Sequence, residues 1–191
     1  MSPRHIPNLI TLMRILLVIP VVRLMLQGEY HWALALFAVA GISDGVDGFL
    51  AKQYGWQSRL GSYLDPLADK LLLISCFVAT AYLGLLPVWL AAVVLLRDVV
   101  IVSGAVAYYV LSQPFEGDPH WTSKVNTFAQ LVLILAVLLR QAVLEVPEAL
   151  LDGLIGAVLL TTAGSGLLYV WSWSLRYLRD RARRTQNREP V

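Results

Sequence analysis

Cysteine is nearly absent from these 191 residues: Cys76 stands alone, so neither a disulfide framework nor a cysteine-rich metal centre can be built. Charge is scarce as well. Only 15% of the residues are Asp, Glu, Lys or Arg, and fifteen basic against thirteen acidic groups leave a formal net charge of +2. That balance lacks the basic excess of a nucleic-acid binder, so no nucleic-acid partner is expected. Internal repeats and low-complexity tracts are missing, and a hydrophobic content of 58% excludes a disordered chain. The apolar stretches do not alternate with period two, which argues against a transmembrane β-barrel. No gap between them is long enough for a separate soluble domain. A cleavable signal is not expected, because the first apolar run follows Pro3 to Pro7 and leads directly into others.

What is present is apolar sequence in long blocks, with a mean hydropathy of +0.65. A membrane-crossing helix needs about 20 mainly apolar residues. Six blocks qualify, over 8–27, 31–52, 62–83, 87–112, 121–142 and 149–175. The expected fold is therefore an all-α integral membrane protein of six transmembrane helices. A single domain is expected over 1–178, with a basic tail over 179–191. Trp32, Trp56, Trp89, Trp121, Trp171 and Trp173 fall near the block ends, where an amphipathic ring prefers the headgroup layer. Arg176, Arg179, Arg181, Arg183, Arg184 and Arg188 crowd the tail, whereas the segments near 84–87 and 143–148 have no Lys or Arg. The positive-inside rule then puts both termini in the cytoplasm, with a bacterial inner membrane as the expected location. The tail reads as a topology signal, with anionic headgroups of membrane lipids as the alternative partner.

The informative anomaly is a set of carboxylates inside apolar helices. Asp44 and Asp47 are three apart in the second block, and Asp65 and Asp69 are four apart in the third, so each pair shares a helix face. A connection of about nine residues makes the two helices antiparallel neighbours and brings all four acids to one point. Ionisable groups at that depth are costly and usually functional. Four such groups cannot all stay ionised without a cation, and only Lys52, Arg59 and Lys70 are local. Oxygen-only ligands favour Mg²⁺, Mn²⁺ or Ca²⁺ over zinc. Two metal ions about 4 Å apart would clamp a phosphoryl group for in-line displacement. The plainer alternative is an ion-pair cluster in which Asp44 or Asp69 bonds Lys70 and Arg97.

The residues between the acids suit phosphate chemistry. Gly48 lies one turn after Asp44 and lets a ligand approach the helix backbone. Lys52 follows after another turn, so the stripe reads acid, gap, cation. Ser58 can donate to a phosphate oxygen, and Gly61 allows close helix contact at the start of the third block.

These positions resemble the signature of the CDP-alcohol phosphatidyltransferases, D-x-x-D-G-x-x-A-R, eight residues, then G-x-x-x-D-x-x-x-D. Here it reads Asp44-Gly-Val-Asp47-Gly48-Phe-Leu-Ala51-Lys52, eight residues, then Gly61-Ser-Tyr-Leu-Asp65-Pro-Leu-Ala-Asp69. Lys52 replaces the usual Arg, keeping the charge while losing bidentate phosphate geometry. The opening Ile6-Pro-Asn8-Leu-Ile-Thr11-Leu-Met-Arg14 is similar to the family's first span, and the resemblance runs from about residue 6 to 178. It implies a six-helix fold, a homodimer, and transfer of a phosphatidyl group from CDP-diacylglycerol to an alcohol with release of CMP. By position, Asp44, Asp47, Asp65 and Asp69 would bind two Mg²⁺ or Mn²⁺ ions, and Asp69 would also take the acceptor's proton. Gly48, Lys52, Ser58 and Gly61 would hold the cytidine diphosphate, with Asn8 and Thr11 nearby.

The acceptor is read from other stretches, Leu96-Arg97-Asp98-Val-Val and Thr122-Ser-Lys124-Val-Asn126-Thr. Arg97 and Asp98 are expected to face the cavity, Arg97 as a substrate ligand or as a brace for the acids. Lys124 is expected at a phosphate, with Asn126 also among the substrate-binding residues. Phosphatidylglycerophosphate synthases, which use glycerol 3-phosphate, carry two further cations where this chain has Ala105 and Asn126. A phosphomonoester would want those cations. The runs Ser123-Lys-Val-Asn-Thr, Phe37-Ala-Val-Ala-Gly41 and Leu64-Asp-Pro-Leu-Ala-Asp-Lys70 are instead similar to the CMP-forming cardiolipin synthases. The expected acceptor is therefore phosphatidylglycerol, with glycerol 3-phosphate as the alternative. A divalent-cation transporter is the alternative of another class, disfavoured because neither interrupted helices nor repeated halves are visible.

Overall fold

The computed structural model describes the backbone of residues 6–54, 59–112 and 121–186, and the side chains of 9–43, 65, 67–104, 121–169 and 171. Six helices follow one another: α1 (Ile6–Leu26), α2 (Tyr30–Tyr54), α3 (Arg59–Tyr82), α4 (Val88–Ser112), α5 (Trp121–Ala142) and α6 (Glu148–Gln186). Each coincides with one of the six apolar blocks. The exception in length is α6, which has 39 residues. At 1.5 Å per residue it is about 58 Å long, well beyond a hydrocarbon core of about 30 Å. Its apolar part ends near 175, yet the Arg- and Leu-containing segment that follows favours helix, so much of the basic tail continues α6.

Two glycines turn the chain at the same end of the bundle. Gly28 and Gly84 have φ of 77° and 71°, a left-handed conformation that costs glycine little. After α1, the Glu29 amide donates to the Leu24 carbonyl at 2.9 Å and the Gly28 amide to Met25 at 3.1 Å. After α3, Leu85 donates to Thr80 at 2.9 Å and Gly84 to Ala81 at 3.1 Å. Both are Schellman caps, which satisfy carbonyls that a helix end would otherwise leave orphaned. Because α1 and α3 both end there, they run parallel, each from the end that carries the acids.

Helix α1 packs against α2 and α3, α5 against α6 and α2, and α4 against α6. The shared core includes Val21, Met25, Phe37, Phe77, Leu90, Leu133, Ile134 and Leu138. Ala33, Ala40, Ala68, Cys76 and Ala79 are buried too, and such small residues let helices approach closely where lipid supplies no hydrophobic drive. The outside is also apolar: Ile19 and Ile42 are each 68% exposed and Leu160 74%. A water-facing surface would carry charge at these positions. Among the described residues, Leu9–Leu26, Trp121–Ala142 and Glu148–Tyr169 are long and apolar enough to cross a bilayer, and Tyr30–Ser43 is a shorter apolar helix. The protein is an all-helical membrane protein.

Candidate active site

Helices α1 and α3 meet through two polar contacts at the end of the bundle opposite the glycine caps. Thr11 and Arg14 lie three apart on α1, and Asp65 and Asp69 four apart on α3. Because the helices are parallel, the pairs meet in order. The Thr11 hydroxyl donates to Asp65 Oδ1, and Arg14 Nη1 donates to Asp69 Oδ1 at 2.7 Å. Thr11 is wholly buried and Arg14 is 1% exposed, whereas the Asp69 side chain is 39% exposed. The guanidinium is thus sealed in the bundle while the carboxylate reaches the surface of a cavity.

That cavity, of about 380 Å³, lies between α1, α2, α3 and α5. Arg14, Asp69, Ser123, Lys124 and Thr127 supply its polar lining. Phe37, Leu72, Leu73, Phe128 and Leu131 supply much of the rest. Two cations beside one carboxylate suit an anionic group, and the apolar wall suits hydrocarbon. Lys124, on the first turn of α5, is exposed and lines this space as expected.

A second polar system ties α3, α4, α5 and α6 together behind the cavity. Lys70 and Arg97 both pair with Asp98 Oδ1, Arg97 through Nη1 at 2.8 Å. Arg97 Nε donates to Ser165 Oγ at 3.0 Å and Nη2 to Ser123 Oγ at 3.0 Å. Arg97 and Asp98 are 6% and 7% exposed, and neither lines the cavity that the sequence had them face. Their reach into the cavity is indirect, through Ser123. Asn126 also turns inward: it is fully buried, and its Oδ1 accepts from the Thr161 and Thr162 hydroxyls at 3.0 and 2.8 Å. The ion-pair alternative for the acids therefore takes a different form. Lys70 and Arg97 serve Asp98, and the cation on Asp69 is Arg14.

Asp44, Asp47, Gly48 and Lys52 lie on α2, Gly61 on α3 and Asn8 on α1, but their side-chain surroundings fall outside the described residues, as does Ser58 altogether. Among the described residues no three His, Cys, Asp or Glu side chains gather as metal ligands. The donors that are described, Asp65 and Asp69, are half-buried carboxylates on one face of α3 and fit a hard divalent cation by their oxygen chemistry. Sequence reasoning used Arg14 only as part of a family pattern. A lone arginine between Met13 and Ile15 in an apolar run is itself the signal of a buried ionic partner.

Fold and site together define a helical membrane protein with a cavity among its helices where Arg14 and Lys124 stand beside Asp69. The profile of the CDP-alcohol phosphatidyltransferases matches residues 4–172, and the chain belongs to that enzyme family, which uses divalent metals. It is 35% identical over 184 residues to a CMP-forming cardiolipin synthase of Rattus norvegicus, covering 88% of this chain and 61% of the relative. It is 37% identical over 153 residues to the CMP-forming cardiolipin synthase of Homo sapiens, covering 72% of this chain and 51% of the relative. It is also 34% identical over 186 residues to a probable phosphatidylglycerophosphate synthase of Mycobacterium tuberculosis (strain ATCC 25618 / H37Rv), covering 92% and 83%. The chain thus spans between half and two thirds of the length of these cardiolipin synthases.

Proposed function

We propose that the protein transfers the phosphatidyl group of CDP-diacylglycerol to phosphatidylglycerol, giving cardiolipin and CMP. The observation that carries this reading is a cavity lined both by the charged groups of Arg14, Asp69 and Lys124 and by the apolar side chains of Phe37, Phe128 and Leu131. A lipid acceptor needs both. Its phosphodiester meets the cations while its chains lie against the apolar side, and its terminal hydroxyl reaches Asp69. That hydroxyl attacks the phosphatidyl phosphorus, the bond to the CMP phosphate breaks, and the hydroxyl proton passes to the Asp69 carboxylate. Asp44, Asp47, Asp65 and Asp69 hold two Mg²⁺ or Mn²⁺ ions, which when bound polarise the diphosphate and acidify the acceptor. Gly48, Lys52, Ser58, Gly61, Asn8 and Thr11 hold the cytidine diphosphate. Thr11 fixes Asp65, and Arg14 fixes Asp69. The active site faces the cytoplasm of a bacterial inner membrane, and the working unit is a homodimer.

A second reading, transfer to glycerol 3-phosphate, is favoured by the mycobacterial relative, which the chain covers more completely than it does the cardiolipin synthases. The test is CMP release by purified protein with CDP-diacylglycerol and Mg²⁺ or Mn²⁺, with phosphatidylglycerol and glycerol 3-phosphate in separate reactions. Release with phosphatidylglycerol alone, with a four-chain product, is expected. Release with glycerol 3-phosphate alone would replace the first reading by the second.

A further inference from the structure

The cavity is not closed between α2 and α5. Three of its lining residues, Gly41 on α2 and Lys124 and Phe128 on α5, are exposed, Phe128 by 68%. Their neighbours on the outer surface of α2 are apolar, with Val39 50% and Ile42 68% exposed. Gly41 falls in the apolar segment Tyr30–Ser43, so the surface around this mouth is apolar on α2. A Cβ added at Gly41 would meet nothing within 4 Å. Glycine is therefore not required there by tight helix packing, and its φ is not in the left-handed region. Its lack of a side chain leaves open space beside a cavity that holds Arg14, Lys124 and Asp69.

We propose that the gap between α2 and α5 at Gly41 and Phe128 is the lateral portal by which the anionic lipid acceptor enters from the bilayer, its chains remaining against Phe37, Phe128 and Leu131. This rests on the reading of the cavity as a lipid-acceptor site. A water-soluble acceptor has no need of such a door. The donor is a lipid too, but the portal leads to Asp69, where the acceptor hydroxyl must arrive, so the acceptor is the occupant assigned.

The test fills the door. Gly41→Trp places a large ring in open space and should leave the thermal midpoint in detergent unchanged. Gly153→Trp, on α6, is the control: that glycine is equally open and does not line the cavity. Initial rates of CMP release are measured in mixed micelles, varying phosphatidylglycerol, its deacylated form glycerophosphoglycerol, and CDP-diacylglycerol in turn. For G41W the KM for phosphatidylglycerol should rise by roughly tenfold, the size of losing the burial of one large apolar group. The values for glycerophosphoglycerol and CDP-diacylglycerol should stay as in wild type, and G153W should change none of them. An unchanged KM for phosphatidylglycerol, an equal loss on both acceptors, or a rise confined to CDP-diacylglycerol would each overturn the portal. Wild-type turnover with phosphatidylglycerol reports separately on the underlying reading: if it is absent, reading and portal fall together, whereas turnover with an indifferent G41W removes the portal alone.

Discussion

Arg14 and Asp69 form an ion pair across α1 and α3, Nη1 to Oδ1 at 2.7 Å, with the guanidinium 1% exposed and the carboxylate at the cavity edge. The pair makes the proposed catalytic base a structural counterion as well. Removing one partner of a buried pair leaves the other charge uncompensated, at a cost of about 3–5 kcal/mol, and the partial exposure of Asp69 puts this site near the lower bound. Asp69→Asn should therefore abolish CMP release and also lower the unfolding midpoint in detergent. The double variant Arg14→Leu with Asp69→Asn should regain much of the stability and none of the activity. Equal midpoints for D69N and wild type would show that the pair carries no structural weight.

Thr11 bears on the neighbouring acid. Its hydroxyl donates to Asp65 Oδ1, and Thr11 is wholly buried. Thr11→Val keeps the shape and removes the donor, at a cost of about 1.5–3 kcal/mol because the bond is to a charged group. Asp65 then loses a fixed orientation. The Mn²⁺ concentration for half-maximal CMP release should rise, while kcat at saturating Mn²⁺ falls little. An unchanged metal requirement would separate Thr11 from the placement of Asp65.

The six helices were legible because each coincides with an apolar block bounded by Gly, Pro or charge. Gly28 and Gly84 stop α1 and α3 where the blocks stop. The side-chain partners were harder to read. Lys70 is next to Asp69 in sequence, but successive helical residues do not share a face, and Lys70 turns instead to Asp98 on α4. Arg14 is distant from Asp69 in sequence and meets it only because α1 and α3 run parallel. Arg97 reads from sequence as either a substrate ligand or a brace for the acids, and it pairs with the carboxylate of Asp98. Its other partners, Ser123 and Ser165, are small hydroxyls whose role depends on helix packing that periodicity alone does not fix.

The Arg97 and Asp98 pair should govern stability more than acceptor choice. Asp98 Oδ1 accepts from both Lys70 and Arg97, so Asp98→Ala leaves two cations facing each other in the bundle interior. A loss of about 3–5 kcal/mol is expected, read as a large fall in the unfolding midpoint. Arg97→Lys should not rescue Arg97→Met, because a single ammonium cannot reproduce the three directions to Asp98, Ser123 and Ser165. Full restoration by lysine would mean that charge alone is needed.

Asn126 offers the sharpest check on the acceptor argument. Sequence reasoning took its lack of charge as the loss of a phosphate-binding cation. Its side chain is 0% exposed and bonds Thr161 and Thr162 on α6, away from the cavity. Its Nδ2 has no partner among the described residues, and neither does Gln130 Nε2 one turn further on. A lysine introduced at 126 would carry its charge into this interior, where desolvation costs several kcal/mol and the two threonine hydroxyls are poor counterions. Asn126→Lys should therefore lower the yield of folded protein and its unfolding midpoint, without conferring turnover on glycerol 3-phosphate. The alternative acceptor is better sought through Thr127, which lines the cavity beside Lys124. If N126K folded normally and released CMP with glycerol 3-phosphate, residue 126 would face the substrate, and the inward orientation of Asn126 would not describe the working enzyme.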